Sequence, residues 1–366
     1  MSDMDAARDI VGVSLLLTGG VAAGALLQGL GMSAGWALGL CFTLPPLMAA
    51  AGWLLWRTRR RGWLAALLAM LGLWLLLTES RCDALSPGPG PVERFGLRCK
   101  KGFTALADSI PFEHPETGPV VKALTTGDRS DLSRETVAVF RSSGASHILA
   151  LSGLHLGILY AILAFFSGVA GGSRTGRAVR YGLIVGLSGV YVFITGASPS
   201  LVRAFLFIFL SETARLTRRK TDLLGSLCGA LTLQLAFHPG AITSVGFQLS
   251  YLAMTGIALL YPPLKRLYPG EEGRLKSPAR YIWNAAALSI ACQATTAPLA
   301  WWRFRTFPRY FLLTNLLSLP LTSLVMGAAA LSLFAAAFGW YPAILTKATD
   351  VLVHGLVWVL TVISGM

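Results

Sequence analysis

Apolar runs of about twenty residues, divided by short polar breaks, recur along nearly the whole chain, and runs of that length match the thickness of a bilayer. They predict spans near 10–31, 34–56, 62–78, 146–168, 179–197, 200–216, 222–238, 246–262, 281–300, 310–336 and 344–365. The expected fold is therefore all-α, a polytopic membrane protein of about eleven transmembrane or re-entrant helices. Several runs are short or contain proline, and such breaks are tolerated at membrane depth only where protein or a wet cavity covers the freed backbone.

One polar stretch interrupts the pattern and sets the organisation: residues 1–78 form a three-span membrane segment, 79–145 an outward-facing loop with short helices, and 146–366 the main membrane domain. Within the loop, 79–118 is rich in Pro and Gly and reads as irregular, with a short interfacial helix around 95–108. Residues 119–144 read as two helices. The first stops at Gly127, and the second starts with Ser133 as N-cap and stops at Gly144.

Composition agrees with a lipid solvent, because 54% of residues are hydrophobic and 13% are charged, against roughly 25% charged in a soluble domain. The net charge of +14 raises the question of nucleic acid, but topology explains most of it. The clusters at 57–61, 174–180, 215–220 and 265–280 hold 16 of the 31 Lys and Arg. Each follows an even-numbered span, so the positive-inside rule places them, and the N-terminus, in the cytoplasm and the C-terminus outside. The opening MSDMDAARDI is acidic rather than basic, so the first span is expected to stay uncleaved. The loop from Glu79 to Ser146 balances nine Lys and Arg with nine Asp and Glu. Left over are Arg203, Arg303, Arg305 and Arg309, on the predicted outer side, where the orientation rule supplies no reason for arginine.

Cysteine and soluble-enzyme motifs change little. Cys41, Cys228 and Cys292 sit inside spans, whereas Cys82 and Cys99 share the outward loop with sixteen residues between them. In an oxidising compartment a disulfide there would stabilise the loop by roughly 2–4 kcal/mol. The nearest approach to a phosphate loop, GGSRTGRA, has Arg177 and Ala178 where Lys and Ser or Thr are needed. The five His show no HxH or HExxH spacing, so no metal site is expected.

Polar residues inside the apolar runs carry more information, since they usually face an interior or water. Four groups occur. His147, Ser152 and His155 open one run, with Gly144, Gly153 and Gly157 suited to close helix approach. In GASPSLVRA, Ser200 is placed to cap the next helix and Arg203 lies one turn on. Gln248, Tyr251 and Thr255 form a stripe at helical spacing in GFQLSYLAMTG. The fourth group runs from Gln293 through Trp301, Trp302, Phe304, the arginines, Tyr310 and Asn315 to Pro320. Each has a plain alternative: an interfacial His anchor, a helix cap with a snorkelling Arg, an interhelical hydrogen bond, an aromatic interface belt. A shared polar interior accounts for all four together.

The order of GDRSDLSRETVAVFRSSGASHILALSGLHLG, GASPSLVRA, FHPGAITSVGFQLSYLAMTG, Gln293–Pro298 and NLLSLP resembles the competence region of the ComEC-type DNA-uptake channels over residues 119–366. The resemblance implies a bacterial inner-membrane channel that translocates single-stranded DNA during natural transformation, with no enzymatic activity and no cofactor. It carries over His147, Ser152, His155, Ser200, Arg203, Gln248, Ser250 and Asn315 as polar pore or structural positions, and Tyr251 joins them from the stripe. Arg303, Arg305 and Arg309, interleaved with Trp301 and Trp302, supply cations for phosphates and flat faces for bases at the predicted entrance. No HxHxDH signature or phosphate loop occurs in the sequence. A nuclease, a periplasmic DNA receptor and a cytosolic ATPase or helicase are thus expected as separate partners. The rival readings are a transporter of another anionic solute or an inactive remnant, and an intramembrane hydrolase using Ser152 with His155 or His147 as base.

Overall fold

The computed structural model describes Ser14, residues 17–22, Ala25, 71–72, 91–149, 151–168, 173–218, 223–268, 278–305 and 309–365. The first three predicted spans, the basic cluster at 57–61 and Cys82 lie wholly or largely outside these residues, and so does a pairing of Cys82 with Cys99. All the regular structure among the described residues is helical.

The helices follow the sequence in order. The outward stretch supplies α1 (Pro91–Asp108), α2 (Thr117–Thr126) and α3 (Arg134–Ser142), and then come α4 (Ser146–Leu149), α5 (Gly153–Ser167), α6 (Arg174–Ile194) and α7 (Pro199–Thr217). Beyond them lie α8 (Leu223–Phe237), a 3-10 turn (Pro239–Thr243), α9 (Val245–Leu259), α10 (Tyr261–Arg266), α11 (Pro278–Phe304), α12 (Phe311–Ala336) and α13 (Ala343–Ser364). Three of these, α6, α12 and α13, are long and apolar enough to cross a membrane, and α5, α8 and α9 are shorter apolar helices.

The chain divides into two compact units, one of Met1–Pro89 with Leu206–Tyr251 and the other of Gly90–Phe205 with Leu252–Met366. In the second unit α12 packs along α13, and α2 packs on both. The core there joins Val120, Val121 and Leu124 of α2 with Phe140 of α3, Ile148 and Leu149 of α4, Val325 and Ala329 of α12, and Val353, Leu356 and Leu360 of α13. Full burial of a side chain such as Leu124 or Phe140 contributes about 1.5–3 kcal/mol relative to water. The helix α2 belongs to the stretch read as an outward-facing loop, and eight of its ten residues are buried.

Local signals explain the ends of these helices. Gly127 adopts φ 75°, a left-handed stop that glycine takes without the steric cost of a Cβ, and its N–H bonds the Ala123 carbonyl. Ser133 caps α3 by accepting from the Thr136 N–H. Both ends lie where the sequence predicts them.

Three expectations need correction. The run at 146–168 is not one continuous helix but two, α4 and α5, interrupted before Ser152, because Ser152 is an N-cap that starts a new helix. The run at 246–262 ends at Leu259, and α10 follows with prolines in its first turn. The helix α7 begins at Pro199, so Ser198 takes the cap position and Ser200 lies inside the first turn. Proline suits the first helical position, where its missing N–H costs nothing.

Candidate functional site at a broken helix

The centre of the second unit is the break between α4 and α5, and the GDR stretch at 127–129 holds it. Arg129 donates from Nε to the Leu149 carbonyl oxygen at 3.0 Å, satisfying an acceptor that the short helix leaves open. Gly127 sits so close to Leu151 that a Cβ there would lie 2.6 Å from its Cδ1. On the far side of the break Ser152 and His155 form a reciprocal cap. The Ser152 hydroxyl accepts from the Leu154 N–H at 3.3 Å, and the Ser152 N–H donates to His155 Nδ1 at 3.1 Å. Nδ1 also lies 3.0 Å from Ser152 Oγ. His155 is 1% exposed.

His147, grouped with this pair in the sequence, stands apart. Its exposed ring bonds through Nδ1 to the Gly144 carbonyl at 3.2 Å. The three glycines also divide by role. Gly144 has φ 81°, Gly153 would place a Cβ 3.4 Å from the Ala204 methyl, and Gly157 has nothing within 4 Å. Only Gly153 marks a close helix approach, that of α5 to α7.

A charged network supports the same stretch from the outward segment. Lys122, 7% exposed, reaches Asp108 of α1 at 3.0 Å and Asp131 at 2.6 Å. The hydrogen bond that Lys122 donates to Asp131 raises the lysine pKa against the opposing effect of burial, and Lys122 in turn lowers that of Asp131. Asp128 is also lowered, chiefly because its carboxylate accepts from the Ser130 N–H at 3.0 Å. Tyr191 of α6 donates to the Thr125 carbonyl at 3.0 Å, and Thr314 of α12 donates to the Ser143 carbonyl at 2.7 Å. The GDR stretch, the two loop helices and α12 thus converge on the break.

The remaining sequence candidates fall into separate surroundings. Arg203 is 5% exposed and donates to the Ser200 carbonyl at 3.5 Å, on a helix whose approach passes through Gly196 and Ala197, both at positive φ. In the first unit Gln248 donates to the Ile242 carbonyl at 2.8 Å and Tyr251 to Gln234 Oε1 at 3.0 Å. The predicted Gln248 stripe therefore fastens α9 to α8 and to the turn between them. Ser250 and Asn315 are half-buried.

At the end of α11 the aromatic and basic side chains are exposed. The Arg303 guanidinium stands 4.7 Å from the Trp302 ring centre, within cation–π range, and Trp301, Trp302 and Phe304 are each more than half exposed. Arg305 closes the helix at φ 54°, and Arg309 is exposed beyond residues 306–308, which lie outside the description. Sequence reasoning placed Arg203 among the pore positions and Arg303, Arg305 and Arg309 at the entrance, but it did not tell buried from exposed arginine.

Other residues were missed. Thr314, Ser318 and Thr322 on α12 are completely buried, and their spacing of four in TNLLSLPLT was a readable signal. Asp350, 3% exposed, accepts from the Glu113 N–H at 2.9 Å and so ties the α1–α2 connection to α13. Its signal was a lone carboxylate in an apolar run. Among the described residues no cluster of three or more His, Cys, Asp or Glu could hold a metal.

Comparison with known proteins covers the same stretch. Residues 124–366 match the family described as Competence protein. The chain is 29% identical over 231 residues to ComE operon protein 3 of Bacillus subtilis, covering 62% of this chain and 28% of that protein. It is 28% identical over 217 residues to competence protein ComA of Neisseria gonorrhoeae, covering 58% of this chain and 30% of that one. The chain therefore spans less than a third of the length of either relative. No solved structure matches it. Since the family match covers two thirds of the chain, including the break and the Gly127 and Arg129 that clamp it, the chain belongs to the competence protein family.

Proposed function

We propose that this protein is a channel that passes single-stranded DNA across the bacterial inner membrane during natural transformation, and that it is not an enzyme. The observation that carries the reading is the exposed pair of Arg303 and Trp302 at the end of α11. A strand needs cations for its phosphates and flat faces for its bases, and base stacking contributes about 1–3 kcal/mol per base. Arg305, Arg309, Trp301 and Tyr310 extend this surface, and the names of the competence relatives supply its context.

In this reading the chain crosses the membrane about eleven times, with its N-terminus cytoplasmic and its C-terminus outside. His147, Ser200, Ser250 and Asn315 are the polar side chains open to a path, while Ser152, His155, Arg203, Gln248 and Tyr251 hold the helices that frame it. A nuclease, a periplasmic DNA receptor and a cytosolic ATPase or helicase act as separate partners.

The test is transformation frequency in a competent host, comparing deletion, wild-type complementation and the Arg303/Arg305/Arg309→Ala triple variant at matched membrane levels. Abolition by deletion and failure of the triple variant to restore it support the channel. Undiminished transformation after deletion overturns it and favours another anionic solute. One observation favours a second reading, an intramembrane hydrolase: Ser152 Oγ is 3.0 Å from His155 Nδ1. Against it, no acid orients the ring, because Nε2 has no hydrogen-bond partner.

A further inference from the structure

The reciprocal cap at Ser152 fixes the tautomer of His155. Nδ1 accepts the Ser152 N–H, so in the neutral ring the hydrogen sits on Nε2. That N–H is buried and without a hydrogen-bond partner. Among the other described buried groups in this condition are the hydroxyls of Ser318 and Thr322 on α12. The large majority of buried polar side-chain atoms in native proteins are paired, with protein or with ordered water.

The three groups belong to one interior. The helices α5 and α12 are packed together, and both enter the same core: Ile158, one turn beyond His155, and Leu321 and Val325, beside Thr322, all pack into it. Thr314, one turn before Ser318, is pinned to the Ser143 carbonyl just ahead of α4. The hydroxyl stripe therefore begins beside the helix break that His155 caps. Pro320 lies between the two hydroxyls and lacks the N–H of an ordinary helical residue, a place where membrane helices commonly recruit water.

We propose that an ordered water molecule sits between α5 and α12, accepting from His155 Nε2 and hydrogen-bonded to the hydroxyls of Ser318 and Thr322. A buried water makes about three hydrogen bonds in polar interiors, and these groups supply that number. The site lies outside the DNA-contacting rim and does not rest on the channel reading.

The test uses the full chain in lipid nanodiscs. Radiolysis generates hydroxyl radicals from bound water, and Met326, one turn beyond Thr322 and 6% exposed, is the reporter. Wild type is expected to label at Met326 despite its burial. Thr322→Val and Ser318→Ala are expected to lose the label and to lower the Tm by roughly 2–4 °C, because each leaves the water one partner short. Thr322→Ser keeps the hydroxyl and serves as the folding control, with the label retained. An unlabelled Met326 in wild type overturns the site whatever the Tm does. So does a Tm that holds or rises in both hydroxyl-deleting variants, the sign of a dry orphan relieved.

Discussion

Arg129 and Leu149 are joined across twenty residues by a 3.0 Å hydrogen bond from guanidinium Nε to backbone carbonyl. The bond ends a one-turn helix that has no room for a longer ladder. Arg129→Ala is expected to leave a carbonyl short of a donor and to destabilise the chain by about 1–3 kcal/mol. Arg129→Lys should recover only part of this, since a flexible ammonium does not reproduce the fixed fork of guanidinium. Thermal unfolding in detergent reads both.

Gly127 tests the opposite side of the break. Its φ of 75° and the 2.6 Å approach of Leu151 to a Cβ make Gly127→Ala costly twice, once in backbone and once in packing. We expect a loss of about 2–4 kcal/mol for the sum of the two effects. Adding Leu151→Ala should relieve the packing part alone. A double variant as stable as wild type would show that the left-handed backbone carries no cost.

Ser152 distinguishes a cap from a nucleophile. Ser152→Ala should lower stability by about 0.5–2 kcal/mol, and Ser152→Asp, which can accept the same N–H, should restore it. Transformation is expected to follow stability in both variants. A nucleophile would instead lose function equally in either, so transformation by Ser152→Asp at matched membrane levels decides.

The Lys122 network gives a pH profile. Asp131 has a lowered pKa in the folded chain, so its contribution is present above the ordinary carboxylate pKa of about 3.9 and is lost as pH falls through the folded value. Lys122 is raised, so its contribution is present below its ordinary pKa of about 10.4 and is lost as pH climbs through the folded value. Stability should be flat between these limits and fall outside them. Lys122→Met should remove both flanks of the network's contribution in a Tm-against-pH series.

For the exposed rim the expected signature is electrostatic. Single-strand binding to the purified chain should weaken with salt at about 0.7 logarithmic units per phosphate contacted. The Arg303/Arg305/Arg309→Ala variant should reduce that slope by about 2 if the three arginines each meet a phosphate. Trp302→Ala should instead lower affinity with the slope unchanged, read by fluorescence anisotropy of a labelled oligonucleotide.

The ends of α2 and α3 were legible because Gly127 and Ser133 act on their own backbone neighbours, and such signals need no tertiary information. The break at Ser152 was not, although Ser152 and His155 stand out as polar: a histidine three residues after a serine inside an apolar run reads equally as a polar face. Only the direction of the Ser152 N–H toward Nδ1 separates the two. The burial of α2 was hidden for a different reason. Its polar residues, Lys122 and the threonines at 125 and 126, look like surface, and they are satisfied by Asp108, Asp131 and carbonyls of their own helix. The arginines divide likewise, since burial of Arg203 and exposure of Arg303 depend on neighbours remote in sequence.

The bond from Thr314 to the Ser143 carbonyl, and the seat of α2 against α12 and α13, place a schedule on biogenesis. Synthesis runs from the N-terminus, so α2 emerges long before the two helices that cover it. The nascent loop must wait, with Val120, Val121 and Leu124 uncovered, until α12 and α13 have been made. Through that interval it offers an apolar helix to whatever insertion factor or chaperone stands nearby, and truncations that remove α13 should be recognised by quality control at this loop.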